Sequence, residues 1–92
     1  MTRRERWDII GQVLDALEMH TERFGPNARV TNVATRANVA YDRLQEYLDE
    51  LARSGLVTQD KMPRLTEKGK EFLRLYRQWR EVLGRFGLDG SD

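Results

Sequence analysis

Apolar residues along this chain recur mainly at helical spacing. Trp7, Ile10, Val13, Leu14 and Leu17 form one stripe of a helix expected from about residue 3 to 19. Gly25-Pro26-Asn27 marks a loop, and Arg29-Val30 reads as one short strand. Thr31 is a suitable N-cap for a second helix over 32–37. Asn38, which tolerates the left-handed conformation, ends it. A third helix is expected over about 40–54, with Leu44, Tyr47, Leu48 and Leu51 as its buried stripe and Gly55 as its C-terminal cap. Residues 56–59 then read as a strand, Asp60-Lys61-Met62-Pro63 as a turn, and Arg64-Leu65 as the returning strand. Thr66 caps a fourth helix that runs to about residue 86, with Glu67 in its first turn, where the helix dipole favours an acid. Gly87 ends that helix, and 88–92 reads as a frayed tail.

The order α-β-α-α-β-β-α predicts a mainly α fold: a winged helix-turn-helix with an added C-terminal dimerisation helix. The expected division is a DNA-binding head at 1–65, the dimerisation helix at 66–86 and a flexible tail at 87–92. The expected core is Trp7, Ile10, Leu14, Leu17, Val30, Val33, Ala37, Val39, Leu44, Leu48, Leu51, Leu56, Val57 and Leu65.

Ninety-two residues make one small domain, and a core of that size gains from oligomerisation. There is no cysteine, hence no disulfide framework and no thiolate metal site. No apolar run approaches the roughly 20 residues of a membrane span. The start, MTRRERWD, is charged with no long apolar region behind it, which does not fit a secretory signal. A cytoplasmic, nucleoid-associated protein is the expectation. The net charge of +1 does not advertise a nucleic-acid binder, and the basic surplus falls in 66–86. Arginine outnumbers lysine 13 to 3, and its guanidinium suits bidentate phosphate and guanine contacts.

The third helix carries the first candidate chemistry. Its N-terminal residues would meet base edges if it lay in a major groove. Tyr41, Arg43 and Gln45 are the candidates: Arg43 to fork onto guanine, Gln45 to pair with adenine. Asp42 and Glu46 would repel phosphates, though either can accept from cytosine. The competing interpretation is a solvated face with charge pairs such as Asp49–Arg53. Arg36 on the second helix, Lys61 at the wing tip and Arg64 on the returning strand are candidate phosphate contacts that position without reading sequence. Arg3, Arg4 and Arg6 form a small basic cluster that reads better as a solvated start.

The fourth helix carries the second. Phe72, Tyr76, Trp79, Leu83 and Phe86 are spaced 4-3-4-3, a heptad-type, coiled-coil-like seam that Leu75 and Val82 widen. The seam points to a homodimer; folding back onto the first helix is the alternative, and Phe72 and Leu73 are expected to do so in part.

The segments Ala37-Asn38-Val39-Ala40-Tyr41, Tyr47-Leu48, Gly55-Leu56-Val57 and Leu65-Thr66-Glu67-Lys68-Gly69 resemble the archaeal winged helix-turn-helix family of Sso-ten-a-like and ArnR-type proteins. The resemblance extends from about residue 8 to 86. It implies a dimer joined through C-terminal helices and non-covalent binding of double-stranded DNA.

Nothing points to catalysis. His20, the only histidine, reads as a capping or solvated residue at the end of the first helix, and Ser54 and Ser91 have no base partner. Acid pairs lack the His or Cys companions of a metal site, and no glycine-rich phosphate loop is present. The expectation is a non-enzymatic protein without metal or cofactor, acting as a DNA-binding transcription regulator or chromatin component. The rival is a protein-interaction module whose acidic third helix faces a protein.

Overall fold

The computed structural model describes residues 5–88. Arg3, Arg4, Ser91 and most of the expected tail lie outside them. Four helices follow in order: α1 (Arg6–Phe24), α2 (Val30–Ala37), α3 (Tyr41–Arg53) and α4 (Glu67–Arg85), with a 3-10 turn at Gly25–Asn27 between α1 and α2. The centre is built from one stripe of each helix: Val13, Leu14 and Leu17 of α1, Val33 and Ala37 of α2, Leu44, Leu48 and Leu51 of α3, and Leu73 of α4. Each fully buried leucine contributes about 1.5–3 kcal/mol over its exposed state.

The winged fold expected above is corrected on one point: among the described residues there is no β-strand, and the β-β wing does not form. What remains is a single antiparallel bridge between Val57 and Leu65. Local chemistry explains why the ladder stops there. Thr58 N–H donates to the Arg64 carbonyl, but Arg64 N–H goes to the Thr58 hydroxyl (3.0 Å) and not to a backbone carbonyl. Pro63 has no N–H to offer. On the other side, Thr66 N–H reaches the Leu56 carbonyl, and the chain then enters α4 at once. The expected first strand is likewise absent. Arg29 is extended but serves as the N-cap of α2, and Val30 opens the helix because 30, 33, 34 and 37 make one inward stripe. Thr31 is therefore inside α2 and does not cap it.

Two glycines set how the helices meet. Gly11 on α1 lies flat against the Tyr76 ring, and any Cβ there would overlap it. Gly69 in the first turn of α4 packs on the Leu56 backbone carbonyl, again with no room for a Cβ. Thr66 fixes the same junction: its hydroxyl donates to the Gly55 carbonyl and accepts from Gly69 N–H, while Lys68 donates to the Ser54 carbonyl. The start of α4 thus satisfies carbonyls left over at the end of α3.

His20 also departs from expectation. It is 2% exposed, neither solvated nor a cap. α1 extends past it to Phe24, whose ring lies against the imidazole, and its Nε2 accepts the Arg29 N–H. Burial, and next the charge of Arg36, hold its pKa below the usual histidine value. Trp7, expected in the core, is 40% exposed and meets Tyr76 only through a ring edge.

Candidate nucleic-acid interface

α2 and α3 are joined by three residues. Asn38 is left-handed (φ 56°, ψ 49°), the only described non-glycine residue with positive φ. The Val39 N–H then bonds back to the Ala34 carbonyl at 3.0 Å, closing α2. Extended Ala40 starts α3, its carbonyl accepting from Leu44 N–H. This tight turn packs α3 across α2 with Leu44, Tyr47, Leu48 and Leu51 inward.

Inward packing of that stripe sorts the polar residues of α3 into three strips. Asp42, Glu46, Asp49 and Arg53 form the outward crest, and all are exposed. Tyr41 and Gln45, one turn apart, stand on the flank facing the 58–63 loop, and Gln45 Nε2 donates to the Tyr41 hydroxyl at 2.9 Å. Arg43 stands on the opposite flank, about 160° round the helix from Gln45. It lies 3.8 Å from Glu46, and hydrogen bonding with Tyr47 and then the nearby acid strengthen its hold on its proton. Glu50 on that side pairs with Arg6.

The loop-facing flank forms one wall of an open groove of about 980 Å³. Its floor includes Val30, Leu48, Ala52, Met62 and Pro63, and its rim carries Arg29, Arg53 and Lys61 with Asp49 and Asp60. The fold therefore brings together Tyr41, Gln45 and Lys61, and adds Arg29 and Arg53, which the sequence did not single out. It does not bring Arg36 or Arg64 into that groove. Arg36 faces a small cavity shared with Asp15 and Arg80, on the α1 and α4 side.

The cations are unevenly paired along the chain. In α1 and α4, Arg6 pairs with Glu50, Lys70 with Glu67, Arg74 with Glu71, Arg77 with Asp15 and Glu18, Arg80 with Asp8, and Arg85 with Glu81. Among the described residues seven cations have no ion pair. Arg29, Arg36, Arg53, Lys61 and Arg64 lie between the N-cap of α2 and the bridge at Leu65. Outside that stretch, Arg23 lies over the Phe24 ring and Lys68 donates to the Ser54 carbonyl. The expected Asp49–Arg53 pair is not among the bridges formed.

The second candidate surface lies on α4, and the structure divides the expected seam. Tyr76 is 7% exposed, its hydroxyl donating to Asp8 (2.7 Å) and accepting from Arg80 (2.9 Å). Burial foremost, with the Asp8 hydrogen bond, raises its pKa. Phe72 and Leu83 are half-buried, Phe72 against the core. Trp79 and Phe86 remain exposed, at 49% and 72%, and Leu75 and Val82 join them. The uncovered seam is thus 75, 79, 82 and 86, the same 4-3-4 spacing rotated away from α1.

Among the described residues no three His, Cys, Asp or Glu gather as a metal site, and no helix is long and apolar enough to cross a membrane. Comparison with curated proteins finds no match. A family model described as winged helix-turn-helix matches residues 3–84.

Proposed function

The chain belongs to the winged helix-turn-helix family, whose members act by binding and not by catalysis, and we propose that it is a DNA-binding regulator or chromatin component that holds double-stranded DNA with α2, α3 and the 58–63 loop. One observation carries this reading: five of the seven described cations without acid partners sit in that part of the chain, and the other two, Arg23 and Lys68, are engaged by the Phe24 ring and the Ser54 carbonyl. An unpaired guanidinium or ammonium is free to replace a counterion at a phosphate, whereas a paired one must first give up its acid. In this reading Lys61 and Arg64, joined by Arg29 and Arg53, contact phosphates and set register, while Arg36, turned toward α1 and α4, lies off that face. Tyr41 and Gln45 approach base edges, and Arg43, on the far flank and paired with Glu46, stays outside the contact.

The uncovered seam of α4 supports a homodimer as the working form, in keeping with the resemblance to the archaeal Sso-ten-a-like and ArnR-type proteins. Leu75, Trp79, Val82 and Phe86 together leave on the order of 400 Å² of apolar surface per copy open to water, a patch of the size that marks an interface.

A second reading has its own support. The crest of α3 is acidic at Asp42, Glu46 and Asp49, which suits a basic protein partner. Titrating random and genomic duplexes at several salt concentrations separates the two. Binding that weakens as salt rises supports DNA; no binding at about 50 mM salt leaves the protein partner as the better reading.

A further inference from the structure

We propose that Tyr41 is a positioning residue that presets Gln45 to recognise an adenine, so that α3 reads sequence from its loop-facing flank. The inference rests on the DNA-binding reading above and names the contact that would give it specificity.

The hydrogen bond from Gln45 Nε2 to the Tyr41 hydroxyl is 2.9 Å long and links residues one helical turn apart. A glutamine amide recognises adenine by donating an N–H to N7 while accepting from N6. The Tyr41 contact uses one of the two N–H groups. The second N–H and the carbonyl oxygen stay available for the base. The contact also restrains a long side chain before any ligand arrives, which lowers the ordering cost of binding.

The other polar groups on α3 are less suited to lead. Asp42, Glu46 and Asp49 on the crest carry the wrong sign for approaching phosphates. Arg43 is engaged by Tyr47 and Glu46, on the side of the helix away from the groove. On the Gln45 side, the unpaired Arg29, Arg53 and Lys61 edge the same groove and outnumber its acids, Asp49 and Asp60. Cations that attract the duplex and a preset amide therefore share one flank.

The test is selection from a random duplex library with wild type, Gln45→Ala, Tyr41→Phe and Arg43→Ala, followed by affinities on the selected and a scrambled duplex. Wild type should enrich an A·T pair at one position per bound head. Gln45→Ala should lose that preference and about tenfold in affinity for the selected duplex, with the scrambled duplex unchanged. Tyr41→Phe keeps the ring and should lose about threefold, at that position alone. Arg43→Ala, on the flank away from the groove, should leave the base preference and both affinities unchanged. A wild type without base preference, or a preference that survives both Gln45→Ala and Tyr41→Phe, overturns the inference while DNA binding stands. A wild type that binds no duplex overturns the DNA-binding reading and this inference with it.

Discussion

The backbone N–H of Arg29 donates to Nε2 of His20 across 3.0 Å, tying the N-cap of α2 to the last turns of α1. The imidazole must be neutral at Nε2 to accept this bond. Its surroundings favour that form, since it is buried and feels the charge of Arg36.

A pH dependence follows from this contact. His20 has a lowered pKa when folded, so the unfolded chain binds its proton more readily. Stability from this group is complete above the ordinary histidine pKa of about 6.5 and is lost as pH falls below it. Urea midpoints should therefore drop between about pH 7.5 and 5.5. His20→Gln, a neutral acceptor, should flatten that drop. His20→Leu should remove it and leave the Arg29 N–H unpaired, at a cost of about 1–3 kcal/mol at neutral pH. An unchanged pH profile in His20→Gln would show that other groups carry the effect.

The two close-packed glycines give a second expectation. Alanine inside a helix is favoured over glycine by about 1 kcal/mol. Overpacking costs about 1–3 kcal/mol. At Gly11 a methyl meets the Tyr76 ring, and at Gly69 it meets the Leu56 carbonyl, part of the backbone. Both Gly11→Ala and Gly69→Ala should lower the melting temperature, Gly69→Ala by more because a backbone cannot rotate aside. An alanine at either site that raises the melting temperature would show that the junction has slack.

These glycines also show how far the sequence could be read. The stripe Leu44, Leu48, Leu51 and the left-handed Asn38 were legible because each depends on local spacing or local conformation. Which way the aromatic residues of α4 turn was not. Periodicity places Tyr76 and Trp79 on one broad face, but only the space left by Gly11 decides that Tyr76 packs inward. The wing failed for a similar reason. Apolar residues at 56, 57 and 65 suggested two strands, whereas the Thr58 hydroxyl and Pro63 remove the partners a longer ladder needs. The unpaired state of Arg53 was hidden by Asp49 four residues before it, a spacing that sequence rules read as a pair.

The split of the α4 seam makes association and stability separable. Trp79→Glu should give monomers in analytical ultracentrifugation where wild type gives dimers at micromolar concentration, with little loss of secondary structure, because the side chain is half exposed. Tyr76→Phe should keep the dimer and lose about 1 kcal/mol of stability, since it deletes a hydrogen bond to Asp8 made within one copy. Dissociation by Tyr76→Phe alone would place the contact on the wrong side of α4.

Salt dependence tests whether pairing decides which cations meet DNA. Each neutralised phosphate contributes about −0.9 to the slope of log K against log salt. A dimer using Arg29, Arg53, Lys61 and Arg64 of each head would give a slope of roughly −7. Lys61 has no acid partner, so Lys61→Ala should weaken binding to every sequence and make the slope shallower by about one unit for each phosphate lost. Arg77 has the same formal charge but is held by Asp15 and Glu18. Arg77→Ala should therefore leave the slope unchanged and show its effect in the α1–α4 packing, as a lower melting temperature. Equal slope changes for the two variants would mean that net charge, and not the unpaired cations between α2 and the Leu65 bridge, governs the attraction to DNA.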